Sequence, residues 1–413
     1  MKKILPLLLL FTLLVSGAPA YAAVNVGAKV LHDNGYGELT GKRIGLITNQ
    51  SALIDGIHTI DLMHADGKVR LVALFAPEHG LRGLKEDGET IAERLDEVTG
   101  VPVQSLYGDM KKPTAEMLRG LDFLVFDIQG VGARFYTYIS TMGLAMQAAA
   151  VAHIPFVVLD RPNPLGGEYI SGVVLEKAYC SFVGEYPIPA AHGMTAGELA
   201  LMIKGERMLP GLDGLDLRVI RMQGWQRAMQ WPDTGLGWVR TSPNIPDFDT
   251  ALLYSGICFF EGTDASVGRG TADPFKLVGF PGMKTDELVR QLSGKNLPGV
   301  RFESTQFSPH SIPGVSSQPK YRDQTLPCLR ILIMDRHAFR PVETGIHLLC
   351  AVYSSLGKEE REHFFHDEGF DHLAGTCTLR KSIQSGVTPE EIIAAWQTED
   401  KGFAERRKKY LLY

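Results

Sequence analysis

Several familiar signatures are missing from this chain, and each absence closes off a chemistry. No Gly-x-Gly-x-x-Gly follows the first apolar run, and no glycine-rich loop carries a phosphate-binding lysine, so nucleotide cofactors and nucleoside triphosphates are not expected. His-Glu-x-x-His and Gly-x-Ser-x-Gly are absent, which speaks against a zinc protease or an α/β-hydrolase elbow. The five cysteines show no Cys-x-x-Cys and no metal-ligand spacing; Cys258 and Cys350, in apolar runs, read as buried thiols. No long basic run accompanies the net charge of -5, so neither nucleic acid nor an anionic membrane is a natural partner. Histidines 363, 366 and 372 lie in a polar stretch without ligand spacing. Neither a metal nor any other cofactor is expected.

Only one run is apolar enough to suggest export. Met1-Lys-Lys3 precedes an apolar segment from Ile4 to Val15, and small residues from Ala18 to Ala22 follow at cleavage spacing. Residues 1–22 therefore read as a secretory signal peptide, without a lipid-accepting cysteine at the cut. The apolar run is shorter than the roughly 20 residues that a membrane span needs. A periplasmic or secreted protein without stable membrane insertion follows. The 413 residues suit two domains, here drawn as 23–240 and 241–413.

In the first of these, apolar strands alternate with helical spacing. Strands are expected at 42–48, 69–76, 103–106, 121–126, 155–159 and 216–221, and helices at 57–65, 114–119, 138–152 and 195–204. That alternation implies an α/β fold with a parallel sheet covered on both faces. Such sheets bind ligands beyond the carboxyl ends of their strands. The first five strands all end in polar residues: Asn49 and Gln50, Glu78 and His79, Tyr107 and Asp109, Asp127 and Gln129, and Asp160 with Arg161 and Asn163.

The most concentrated of these ends is Phe75-Ala-Pro-Glu78-His79-Gly80-Leu-Arg82-Gly83. Glu, His and Arg are costly to gather beside a buried strand. Glu78 on a partly apolar floor suits a proton donor, with His79 to hold or tune it; the plain alternative is a helix cap. The second part repeats the pattern. An apolar run from Leu252 to Phe260 ends in Glu261-Gly-Thr, and Gly268-Arg269-Gly270 offers a planar donor fork between flexible residues. Helices at 285–292, 344–355 and 389–397 and strands at 300–304 and 329–334 make this a smaller α/β unit. Trp225, Trp231 and Trp238 either stack on sugar rings or pack a domain junction. Asp127, Glu168 and Glu261 join Glu78 as the carboxylates from which an acid and its partner could be drawn for glycoside cleavage.

Five stretches together resemble the bacterial exo-β-N-acetylmuramidase family, long catalogued as a domain of unknown function. They are Gly45–Ser51, Phe75–Gly83, Phe126–Tyr138, Leu159–Pro164, and Glu261–Thr263 with Gly268–Thr271. The resemblance implies a Rossmann-like first domain, a second α/β domain and a site in the cleft between them. It implies release of N-acetylmuramic acid from the non-reducing end of peptidoglycan fragments, with MurNAc-GlcNAc saccharides as substrates. Glu78 takes the acid role on this reading, and His79, Asp127, Glu168 and Glu261 remain open as partners. Asn49, Gln50, Arg82, Asp127, Gln129, Arg134, Tyr136, Asp160, Arg161, Asn163 and Arg269 are the expected substrate contacts. Of these, Arg134, Arg161 and Arg269 could meet the lactyl carboxylate. Two rivals are a muramyl-sugar-binding protein without turnover and a peptidoglycan esterase or amidase.

Overall fold

The computed structural model describes residues 23–82 and 94–413. The expected signal peptide and Gly83 lie outside these residues. Nine strands belong to the first part: β1 (Arg43–Thr48), the hairpin β2 (Leu53–Ile54) and β3 (Ile57–His58), β4 (Arg70–Ala76), β5 (Arg94–Leu95), β6 (Pro102–Ser105), β7 (Phe123–Asp127), β8 (Phe156–Leu159) and β9 (Leu217–Ile220). Seven form one sheet in the order β5-β6-β4-β1-β7-β8-β9. All pairs are parallel except β5 with β6.

The parallel strands therefore follow the doubly wound order 3-2-1-4-5-6, whose direction reverses between β1 and β7. Both faces are buried, which explains the apolar runs without polar alternation. In β8, Phe156 and Val158 face one core while Val157 and Leu159 face the other. β7 divides likewise: Leu124 and Phe126 oppose Val125. β9 is half-buried throughout, as an edge strand should be.

The second part holds β10 (Leu277–Gly279), β11 (Val300–Phe307) and β12 (Leu326–Ile333), an antiparallel sheet in the order β10-β12-β11. Its two central helices, Phe248–Ile257 and Pro341–Ser355, cross backbone to backbone. A Cβ on Gly256 would stand 1.9 Å from the Pro341 carbonyl oxygen, and one on Gly345 would stand 2.3 Å from that of Gly256. Only hydrogen fits at both positions. One core runs from Ile47 and Phe75 under the large sheet to Phe260, Leu349 and Phe403, so the two parts are packed as one body.

Most expected elements are present, with shifted ends. Thr195 and Glu198 close a capping box on the helix Ala196–Gly205. The terminal helix, Pro389–Arg407, is longer than its apolar spacing implies. One expectation fails: residues 114–119 form successive turns, not a helix. Leu118 is buried and Met117 packs beside it, so the stretch is anchored, and Gly120 at φ 82° turns the chain at its end. The tryptophans mostly pack: Trp225 and Trp231 are buried, and Trp231 meets half-buried Trp238 edge-on at 5.2 Å.

Candidate active site

The apolar run of β4 ends at Pro77, and the chain reverses sharply there. Gly80 N–H donates to the Pro77 carbonyl at 3.0 Å, and His79 and Gly80 both take left-handed backbone angles. For histidine this region is uncommon, and its presence beside a cleft is the kind of strain that functional sites hold. No helix starts at Gly80 within the described residues 80–82, so Glu78 is not a helix cap there. The turn instead lays Glu78 and His79 against a cavity of about 190 Å³. Leu106 N–H extends the pairing of β6 with β4 by donating to the Ala76 carbonyl, which brings Tyr107 to the same cavity. Thr137, just before the helix Tyr138–Val151, donates its hydroxyl to Glu78 Oε2 at 2.7 Å.

The second part supplies the rest of the lining. Glu261 closes the short helical turn Cys258–Gly262, and Arg269 grips it with two bonds, Nε to Oε1 at 2.5 Å and Nη2 to Oε2 at 3.2 Å. The Cys258 thiol also donates to Oε2 at 3.6 Å, and burial pushes that thiol well above its usual range. Lys320 reaches in behind, donating to the carbonyls of Glu261, Thr263 and Ala265, and its burial lowers its proton affinity. Phe135, Tyr254 and Phe275 add buried rings to the lining, with edge-on contacts of 5.3 and 4.9 Å. Tyr107 and Phe182, also in the lining, are half-buried.

Of the expected site residues, this pocket gathers Glu78, His79, Tyr136, Glu261 and Arg269. The others share the carboxyl edge of the sheet but serve different ends. Asp127 and Arg161 form a buried two-pronged ion pair, joined by the Thr59 hydroxyl. A buried charge needs a partner of its own, and here each supplies the other. Arg134 is fully buried, with its guanidinium spent on the carbonyls of Val173, Ile188, Leu373 and Ala374. It is therefore not placed to meet a substrate carboxylate. Asp160 accepts from Thr195, Gly197, Arg161 N–H and Tyr413. Asn163 binds the Met194 carbonyl and Leu165 N–H, and Arg82 pairs with Asp96 and Asp61. Asn49 accepts from Ser51, while Gln50 donates to the carbonyls of Arg240 and Thr241. Gln129 spends its amide N–H groups on the Gly130 and Pro162 carbonyls. Glu168 is exposed and lines a separate depression with Tyr169, Arg340 and Glu343.

Pocket residues absent from the expected set include Thr137, Ser242, Asn244, Tyr254 and Phe275. Ser242 and Asn244 follow a segment that Gln50 and the Tyr138 hydroxyl both hold through the Thr241 carbonyl. The sequence signal for them is Ser242-Pro-Asn-Ile-Pro246, a proline-bracketed stretch at the boundary drawn between residues 240 and 241. Thr137 carries no local signal, since its role depends on a strand end 59 residues away.

A Rossmann-like sheet whose carboxyl edge carries an aromatic-lined pocket, with a glutamate from each part in its lining, defines the class: an α/β glycoside hydrolase. The chain belongs to the exo-β-N-acetylmuramidase family. The N-terminal part of that family, described as "Exo-beta-N-acetylmuramidase NamZ, N-terminal", matches residues 44–249, and its C-terminal counterpart matches residues 252–413. A Bacillus subtilis (strain 168) protein named peptidoglycan beta-N-acetylmuramidase NamZ is 43% identical over 377 residues, covering 91% of this chain and 88% of its own. Two crystal structures of DUF1343 family proteins from Bacteroides fragilis NCTC 9343 share the fold. One has a TM-score of 0.86 at 36% identity, the other 0.76 at 34%; each comparison covers 95% of this chain and 99% of the other.

Proposed function

We propose that this protein removes N-acetylmuramic acid from the non-reducing end of peptidoglycan-derived MurNAc-GlcNAc saccharides, with Glu78 as the general acid. The observation that carries the reading is the pocket itself: Glu78, braced by Thr137, and Glu261, gripped by Arg269, line one cavity. In the reaction Glu78 gives its proton to the glycosidic oxygen as the C1–O bond breaks. Positive charge grows on C1 and the ring oxygen, opposite the Glu261 carboxylate. Water completes C1, and its proton leaves through the partner group. Of the three expected arginines, Arg269 is the one that lines this pocket, where its two bonds to Glu261 orient that carboxylate.

The name of the Bacillus subtilis relative supports the substrate class, and the apolar run Ile4–Val15 supports delivery to the periplasm or beyond. Among the described residues, no helix is long and apolar enough to cross a membrane.

The test is free N-acetylmuramic acid released from a MurNAc-GlcNAc disaccharide. Wild type should release it, and Glu78→Gln should lose about a thousandfold in rate, within the range for general acid catalysis. Equal activity of the two would sink the acid assignment. Binding without release would favour the solute-binding alternative, and release of acetate or peptide would favour an esterase or amidase.

A further inference from the structure

A second cavity, of about 390 Å³, lies over the point where the sheet order reverses. Ser51 beyond β1, Gln129 beyond β7 and Arg161 beyond β8 form its floor, and Trp231, Gly237 and Trp238 form one wall. It is separate from the Glu78 pocket: the segment from Trp238 to Asn244 faces this cavity with Trp238 and Val239 and the other with Ser242 and Asn244. Crevices at this place in doubly wound sheets are where ligands bind.

We propose that this cavity is a second saccharide site, for a neutral N-acetylated pyranose. Charge argues for a neutral ligand. Arg161 is balanced by Asp127, and Asp55, at the rim, is held by Lys29 at 3.0 Å. Nothing cradles a phosphate, since the loop after β1 is Asn49-Gln-Ser51. Hydrogen-bonding capacity argues for hydroxyl or acetamido groups. Gln129 is buried with both donor bonds used, and its Oε1 has no partner; Trp231 is buried with no acceptor for its Nε1. Both atoms are shielded from solvent, so a ligand in the cavity reaches them only where the side chains turn towards it; an acetamido group, with one donor and one acceptor, then completes both. Trp238 adds a half-buried ring whose own N–H is already bonded to the Ile245 carbonyl, leaving its apolar surface to pack on a sugar face. The volume lies in the range for small-molecule sites and exceeds that of the Glu78 pocket.

Gly237 makes the test clean, because a Cβ there would meet nothing within 4 Å. N-acetylglucosamine is titrated into Glu78→Gln while tryptophan fluorescence is followed. A saturable change is expected, and adding Gly237→Leu should weaken it about tenfold, equivalent to about 1.4 kcal/mol. Gly237→Leu alone should keep wild-type turnover of the disaccharide and wild-type melting temperature. Absence of saturable binding, or binding indifferent to Gly237→Leu, would overturn the proposal. A crystal soaked in the same sugar gives an independent reading. A ring against Trp238 and Gln129 supports the site; water alone there, or sugar only beside Glu78, overturns it. Because turnover and fluorescence are read separately, failure here is distinct from failure of the hydrolase assignment.

Discussion

Glu78 shows how one hydrogen bond can position a reacting group. The Thr137 hydroxyl donates to Oε2 and so restricts the side chain. Hydrogen bonds to carboxylates contribute about 1.5–3 kcal/mol. Thr137→Val should therefore lower kcat by about tenfold or more with a small change in KM, and Thr137→Ser should restore most of it. Steady-state kinetics on the disaccharide decide; equal loss in both variants would mean packing, not the hydroxyl, matters. His192 makes a prediction about stability. It is buried, and burial together with Arg407 and Arg134 pulls its pKa down to about 3. An unfolded histidine titrates near 6.5, so between about 6.5 and 3 the unfolded chain binds a proton that the folded chain refuses. Stability from this group is present above that window and lost as pH falls through it. At pH 5.5 the loss is about 1.4 kcal/mol. Denaturant melts at pH 7 and 5.5 should show it, and His192→Gln should flatten that part of the profile.

At the scale of elements, the crossing of Phe248–Ile257 over Pro341–Ser355 sets the distance between the layers of the second part. The facing glycines allow backbone contact, and the Glu261 turn continues directly from the first of these helices. Gly345→Ala places a methyl group against the Gly256 carbonyl, which is backbone and cannot rotate away. Overpacking of this kind costs about 1–3 kcal/mol, so Gly345→Ala should lower the urea midpoint without changing the slope. If the midpoint stays put, the helices are looser than this crossing implies. The expected helix at 114–119 is replaced by turns, although Leu118 and Met117 within it still pack on the main core.

Across the whole molecule, two devices tie the parts together. Arg134 leaves the first part and is bonded to carbonyls on the helix Asp367–Ala374 and on the irregular segment around Val173 and Ile188. The C-terminal residues return to the large sheet. The Tyr413 hydroxyl donates to Asp160 at 2.8 Å and accepts from Met222 N–H, while Leu412 N–H donates to Glu198. Removing residues 411–413 should destabilise the protein by about 2–3 kcal/mol, because buried acceptors lose their donors. Circular-dichroism melts would read this, and an unchanged melting temperature would show the tail to be passive. The Glu78 pocket lies between parts held in this way, so its geometry depends on contacts far from the chemistry.

Residue order alone determined the six parallel strands of the sheet, the polar carboxyl ends of the first five, and the pairing of an apolar run with Glu78 and again with Glu261. Apolar patterning and glycine placement are local properties, and they survive without knowledge of what packs where. Tertiary structure decided which polar ends work together. Five strand ends were polar in the sequence, yet Asp127, Arg134, Asp160, Arg161 and Asn163 are used up in holding the fold, because a buried charge or amide must find a partner wherever the chain puts one. Thr137, Ser242, Asn244 and Tyr254 entered the pocket through contacts that span tens to hundreds of residues, which no local pattern encodes.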